Sequence, residues 1–340
     1  MKKWKGFAAA AAVATLAAGL AGCSTTTGTT SPASSSSSAA FTGQSGETYY
    51  MITFLSGIEY WKGVLAGAKE AAKDLHVNVV YTGAPQYDIN QEATTLQQVI
   101  AKKPAGILIT SINEKALTPY INQAIQAGIP VIAFDSDAPS SQRYSYLGTS
   151  NVEAGQTAAD YLGQKLGGHG KVAIVSTPGE LNLDQREQGF KQEMAQKYPG
   201  IQVVAVENGN SDQIKTAQVT SALLQNHPDL NGVFATEADE GIGVSTAVKE
   251  AHKTGQVQIV SFDTDQATLK AIQNGEITAT IAQGTWNMGF WGLMFAYTVH
   301  HDLVNPVKNW KTANVDPVPS SVDTGVTVIT KQNVASYLNQ

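Results

Sequence analysis

The chain has 340 residues, 42% of them apolar and 15% charged, with a formal charge of −6 at pH 7. That acidic balance, with no clustered run of Lys and Arg, argues against nucleic-acid binding, whose affinity comes from basic patches facing phosphates. Cys23 is the only cysteine, which excludes a disulfide within the chain and any site built on two thiolates.

Met1-Lys-Lys-Trp-Lys precedes an Ala/Leu-rich run from Gly6 to Gly22 that closes as Leu20-Ala21-Gly22-Cys23. A basic head, a short apolar core and small residues read as an export signal over 1–23, because about 17 apolar residues suit cleavage better than a stable span. The L-A-G-C ending resembles the bacterial lipoprotein signal. It implies that Cys23 becomes a lipidated first residue and that the membrane is met through this anchor alone. Residues 24–46 are almost wholly Ser, Thr, Gly and Ala, which cannot bury enough apolar surface to order themselves and therefore read as a disordered tether.

Roughly 300 residues remain, enough for two sizeable cores. Strand and helix alternate along them. Tyr49 to Leu55 reads as a strand, and the helix after it carries Trp61, Val64, Leu65, Ala68, Ala72 and Leu75 at the three-and-four spacing of one buried face. Val77 to Tyr81 is the next strand, followed by a helix over 92–101, a strand over 106–110, a helix over 117–127 and a strand over 129–134. Strands at 171–176, 201–206, 232–235 and 257–262 then alternate with helices near 181–197, 212–225 and 240–252. This order predicts an α/β fold with right-handed crossovers and parallel sheets.

The second set copies the first at an offset of about 122 to 128 residues. K-K-P-A-G-I-L-I returns as H-P-D-L-N-G-V-F, and Val131 to Asp137, V-I-A-F-D-S-D, returns as Ile259 to Asp265, I-V-S-F-D-T-D. Each of the latter is a short apolar run ending abruptly in acid. It reads as a strand buried on both faces with carboxylates just past its carboxyl end, where open α/β sheets bind ligands. Desolvating such a carboxylate costs several kcal/mol without partners, about 2 to 7 even for a neutral polar group, so Asp135 and Asp263 imply donors waiting to meet them. They read as two jaws of one cleft, with Asp137 and Asp265 as helix caps.

In order, Y-W-K-G-V-L-A-G-A-K-E-A-A, A-G-I-P-V-I-A-F-D-S-D, G-T-S-N-V-E-A-G, R-E-Q-G-F, H-P-D-L-N-G-V-F-A, I-V-S-F-D and A-T-I-A-Q resemble the ribose-type sugar-binding proteins of bacterial ABC transporters. The resemblance runs from Tyr49 to the end of the chain. It implies a periplasmic-binding-protein type I fold: two doubly wound parallel-sheet lobes joined by three hinge strands, 47–149 with 284–324 and 150–283 with 325–340. It further implies a monomer outside the cytoplasm, at the cell surface or in the periplasm. Such a protein takes a small sugar, needs no cofactor, and partners a permease and its ATPase.

By the same resemblance the ligand set is Tyr60, Trp61, Asp135, Arg186, Asp263 and Gln283, with Glu237 where the ribose type has asparagine. The types suit a sugar: a carboxylate accepts from neighbouring hydroxyls, an arginine fork donates two parallel bonds, and an aromatic ring covers a sugar's C–H face. Each also has a plain reading, as core for Trp61 and Tyr60, a solvated helix residue for Arg186, and a backbone partner for Gln283. Ile58 and Ser136 also depart from the ribose pattern, so ribose itself is not expected. The first D-S-D resembles that of autoinducer-2 receptors, which leaves a signalling furanose or a polyol open, and with it a sensor in place of a transporter component.

Catalysis is not expected, since there is no G-x-S-x-G elbow and no H-E-x-x-H. An exported glycoside hydrolase remains the enzymatic alternative, because Asp135 and Asp263 imitate its spaced carboxylates. No metal site is expected either: four histidines fall near helix ends or turns, and His300 and His301 point to different sides of a helix.

Overall fold

The acid-ended apolar runs become strands whose apolar residues are all buried. In the computed structural model, which describes residues 41–44, 46–111, 113–303, 309–313 and 315–338, they are β4 (Val131–Phe134) and β9 (Gln258–Phe262), the latter buried from Ile259 onward. The export signal, Cys23 and most of the tether lie outside the described residues. Everything described belongs to one compact unit, Ala39–Gln340.

The first repeat is β1 (Thr48–Thr53), α1 (Trp61–Leu75), β2 (Asn78–Gly83), α2 (Ile89–Ala101), β3 (Gly106–Ile109), α3 (Glu114–Gln126), β4 and β5 (Ser145–Gly148). The second follows α4 (Asn151–Lys165): β6 (His169–Ser176), α5 (Leu181–Lys197), β7 (Gly200–Asn208), α6 (Gln213–Asn226), β8 (Gly232–Ala235), α7 (Ala238–Glu250), β9, α8 (Gln266–Asn274) and β10 (Ala279–Gln283). Then come α9 (Thr285–His300), the short α10 (Trp310–Ala313), β11 (Ser321–Asp323), β12 (Val326–Thr330) and a 3-10 turn over Val334–Ser336.

The two sheets run β11-β5-β4-β3-β1-β2 and β12-β10-β9-β8-β6-β7, each a doubly wound order with one strand added at its edge. All pairings are parallel except β10 with β12. Alternate residues supply opposite cores. Ile107, Ile109 and Val131 face α2 and α3, while Leu108, Ile132 and Phe134 face α1 and α9. The second sheet divides likewise, with Ile259 in one core and Val260 and Phe262 in the other. The chain passes between the sheets three times, after β5, after β10 and between β11 and β12.

The first two crossings deliver a helix onto the receiving sheet, and each helix packs on that repeat's first helix, α4 on α5 and α9 on α1. Both pairs approach through reciprocal glycines. A Cβ at Gly67 would stand 2.1 Å from the Trp286 carbonyl oxygen and one at Gly289 1.8 Å from that of Val64. Gly155 and Gly189 stand in the same relation to Arg186 and Val152, at 2.0 and 1.9 Å. Backbones this close leave no room for any side chain.

Asp137 differs from its expected role. No helix follows it; its carboxylate pairs with both ends of the Arg143 fork and accepts from the Ala138 amide. Asp265 does precede α8 but makes no capping bond with its side chain. Among the described residues no helix is long and apolar enough to cross a membrane.

Candidate functional site

Asp135 and Asp263 both leave their strands with left-handed backbones, φ 63° and 70°. This region costs an L-residue about 1–2 kcal/mol, and aspartate is one of the few types that visits it. The turned-out carbonyls are held in the same way in both repeats: the Tyr146 hydroxyl donates to that of Asp135 (2.7 Å) and the Thr280 hydroxyl to that of Asp263 (2.9 Å). The strain turns both carboxylates into one cavity of about 480 Å³ between the sheets.

The anticipated donors are present. The Tyr60 hydroxyl donates to Asp135 Oδ1 (2.6 Å) and Thr110 Oγ1 to its Oδ2 (3.0 Å), while Gln283 Nε2 donates to Asp263 Oδ1 (2.7 Å). Gln283 Oε1 in turn accepts from Thr149 (2.6 Å), just past β5, and from Arg186 Nη2 (2.9 Å). One amide thus ties two of the crossings to the site.

Arg186 is 2% exposed and lies 4.0 Å over the Phe262 ring. Its Nε donates to Asn151 (2.9 Å) and Nη1 to the Thr236 carbonyl (2.8 Å). With Nη2 on Gln283, one N–H on each terminal nitrogen remains. The solvated-helix reading of this residue is overturned. Trp61 is also 2% exposed; its indole donates to the Leu55 carbonyl (2.8 Å) and packs edge-on against Phe54 and Phe134. It is a core residue with one edge on the cavity.

The cavity brings together all seven predicted residues. It also holds residues that sequence reasoning missed, chiefly Tyr87, Glu180, Asn182 and Ser211. Tyr87, after β2, donates to Glu180, before α5, and so joins the two lobes across the cavity; Ser136 reaches Asn182 in the same sense (3.4 Å). Glu180 occupies a helix-capping position without making a capping bond, which is visible only once its partner is known. A separate groove of about 550 Å³ beside the crossings contains none of the seven.

Burial sets the electrostatics. Desolvation pushes the Asp263 carboxyl up to about 7 despite Arg186 and Gln283, and it raises Asp135 against the pull of Tyr60, Arg186 and Thr110. Glu180 is likewise pushed up to about 7 by burial. Glu237 rises well above the carboxylate range through burial and the neighbouring Glu240 and Glu180, and its Oε1 is sealed from solvent with no hydrogen-bond partner. An acceptor-rich cavity with one arginine fork suits a neutral ligand that offers many hydroxyl donors.

Residues 49–300 match the periplasmic binding protein domain. The ribose import binding protein of Escherichia coli is 31% identical over 218 residues, which cover 64% of this chain and 72% of that protein. Among solved structures, AraP, an arabinose-binding protein from Geobacillus stearothermophilus, is 47% identical with a TM-score of 0.78, over 86% of this chain and 99% of that one. A solute-binding protein from Agrobacterium radiobacter, solved with D-arabinose, is 31% identical with a TM-score of 0.78, over 87% and 100% of the two chains. The chain belongs to the periplasmic binding protein domain family, among the type I sugar-binding proteins of ABC transporters.

Proposed function

We propose that this protein is an extracytoplasmic receptor, held to the membrane by lipid on Cys23, that shuts on one monosaccharide and passes it to an ABC permease. The moving bodies are 47–149 with 284–324 and 150–283 with 325–340, and the crossings at Thr149 and Gln283 flex. The carrying observation is the pair of left-handed aspartates, one from each repeat, facing one cavity beside the Arg186 fork. Tyr60, Trp61, Asp135, Arg186, Glu237, Asp263 and Gln283 are the ligand contacts in this reading. Each aspartate already has protein donors on part of its lone pairs and offers the rest to hydroxyls.

The sugar is an arabinose-like aldopentose. AraP at 47% identity and the D-arabinose complex support that choice, and the replacement of the ribose-type polar positions by Ile58, Ser136 and Glu237 argues against ribose. Micromolar affinity needs about 8 kcal/mol in total, within reach of two charge-assisted contacts and a covered sugar face.

The deciding experiment is thermal shift and calorimetry with D- and L-arabinose, ribose, xylose, hexoses, inositols and autoinducer-2. A pentose at 100 times its Kd adds about 2.7 kcal/mol of stability. Arg186→Gln is expected to weaken binding by at least tenfold, since a hydrogen bond to a charged group contributes about 1.5–3 kcal/mol. No response to any sugar, or unchanged affinity in Arg186→Gln, defeats the reading. Incorporation of labelled fatty acid, lost in Cys23→Ala, tests the anchor separately.

A further inference from the structure

At the end of the first sheet opposite the cleft, three metal-ligating side chains meet. Glu47 immediately precedes β1, His300 is the last residue of α9 and His301 is its C-cap. One ligand atom from each lies within 4.8 Å of the others. The two histidines do not splay as neighbours on a continuing helix would. The helix ends at His300, and the two rings stand 5.0 Å apart and nearly perpendicular, with His301 resting on Tyr297.

We propose that Glu47, His300 and His301 bind a first-row divalent cation, for which Zn²⁺ is the best match. His301 Nε2 lies 2.9 and 3.1 Å from the two Glu47 oxygens, a directly bonded pair that need open by only about 0.5 Å to admit a four-coordinate ion at bond lengths of about 2.0–2.2 Å. His300 is exposed, and a turn of its ring closes the third side. A water completes four-coordination, as at other sites with two histidines and one glutamate. The Glu47 carboxylate also accepts from the Tyr49 hydroxyl and the Gln44 amide. Tyr49 orients that carboxylate as outer-shell donors do. Two nitrogen donors favour Zn²⁺, Co²⁺ or Ni²⁺ over the hard ions Ca²⁺ and Mg²⁺, which require oxygen. Lys102 and Lys103 border the same hollow, which further disfavours an ion held by charge alone. The bound ion would clamp the segment entering β1 to the end of α9, far from the sugar cavity.

The test is titration of the untagged full chain with Zn²⁺ by calorimetry and with Co²⁺ by visible absorption. One ion per chain is expected, together with a higher melting temperature. His301→Ala and Glu47→Gln should each abolish binding while the sugar response, if present, and the circular dichroism spectrum stay intact. Tyr49→Phe should weaken it by about tenfold, and Cys23→Ser should leave it unchanged. Absence of a stoichiometric ion, equal affinity in His301→Ala, or loss in Cys23→Ser overturns the site. None of these outcomes depends on whether the cavity binds a sugar.

Discussion

In the proposed reading Glu237 is the side chain through which specificity is most directly tested. An asparagine there would present an amide with two donors; a carboxyl held neutral presents only one O–H. With Oε1 unpartnered and Glu180 and Glu240 close by, its ionised form is disfavoured in the folded chain. Glu237→Gln is therefore expected to raise the melting temperature of the sugar-free protein at pH 8 and to change it little at pH 5, with altered preference in the sugar panel. Equal shifts at both pH values would contradict this account. Asp263 and Glu180 extend the argument. Each is held near 7 in the folded chain, against about 4 for ordinary carboxyls. A carboxyl raised on folding binds its proton more tightly in the native state, so its contribution to stability is complete below about pH 4 and is lost as pH rises through about 7. The sugar-free protein should melt at a lower temperature at pH 8 than at pH 5.5, measured by circular dichroism; a rise over that interval would sink the assignment.

At the scale of elements, the repeat is carried by packing as much as by pattern. Gly67 in α1 and Gly189 in α5 are equivalent positions, and each lies against a carbonyl of the helix that has just crossed from the other sheet. Gly189→Ala places a methyl 1.9 Å from the Val152 oxygen, in reach of backbone alone. Overpacking costs about 1–3 kcal/mol where side chains can yield, so a loss at or above that range is expected in urea denaturation, and Gly67→Ala should behave alike. A variant of wild-type stability would mean that the helices separate freely. These glycines read in sequence only as weak helix residues. The alternation of cores in β3, β4 and β9 was legible because burial on both faces demands an unbroken apolar run. The expected cap at Asp137 failed because β4 runs on to β5 with no helix between them, and the carboxylate is left to pair with the Arg143 fork in the connecting loop.

Over the whole molecule, the Tyr87–Glu180 bond joins the lobes, aided by the packing of Tyr87 against Phe54. In the proposed reading it can form only with the lobes together, so it adds to the closure that a ligand drives. Tyr87→Phe keeps the ring and removes the donor. It should enlarge the radius of gyration of the sugar-free protein in X-ray scattering and weaken sugar binding by about tenfold, the value of roughly 1.4 kcal/mol, within the range for a hydrogen bond to a carboxyl. Unchanged scattering and affinity would remove the bond from the closure mechanism.

Sequence alone determined the α/β class, the duplication and the acids at the strand ends. Periodicity and abrupt polarity are properties of a few neighbouring residues and are written in the chain itself. The partners of those acids, the burial of Arg186 under Phe262 and the meeting of Glu47 with His301 were decided only by the tertiary structure. A hydrogen bond between residues 93 or 254 positions apart requires no local pattern, only that two loops be carried to the same place by the sheets beneath them.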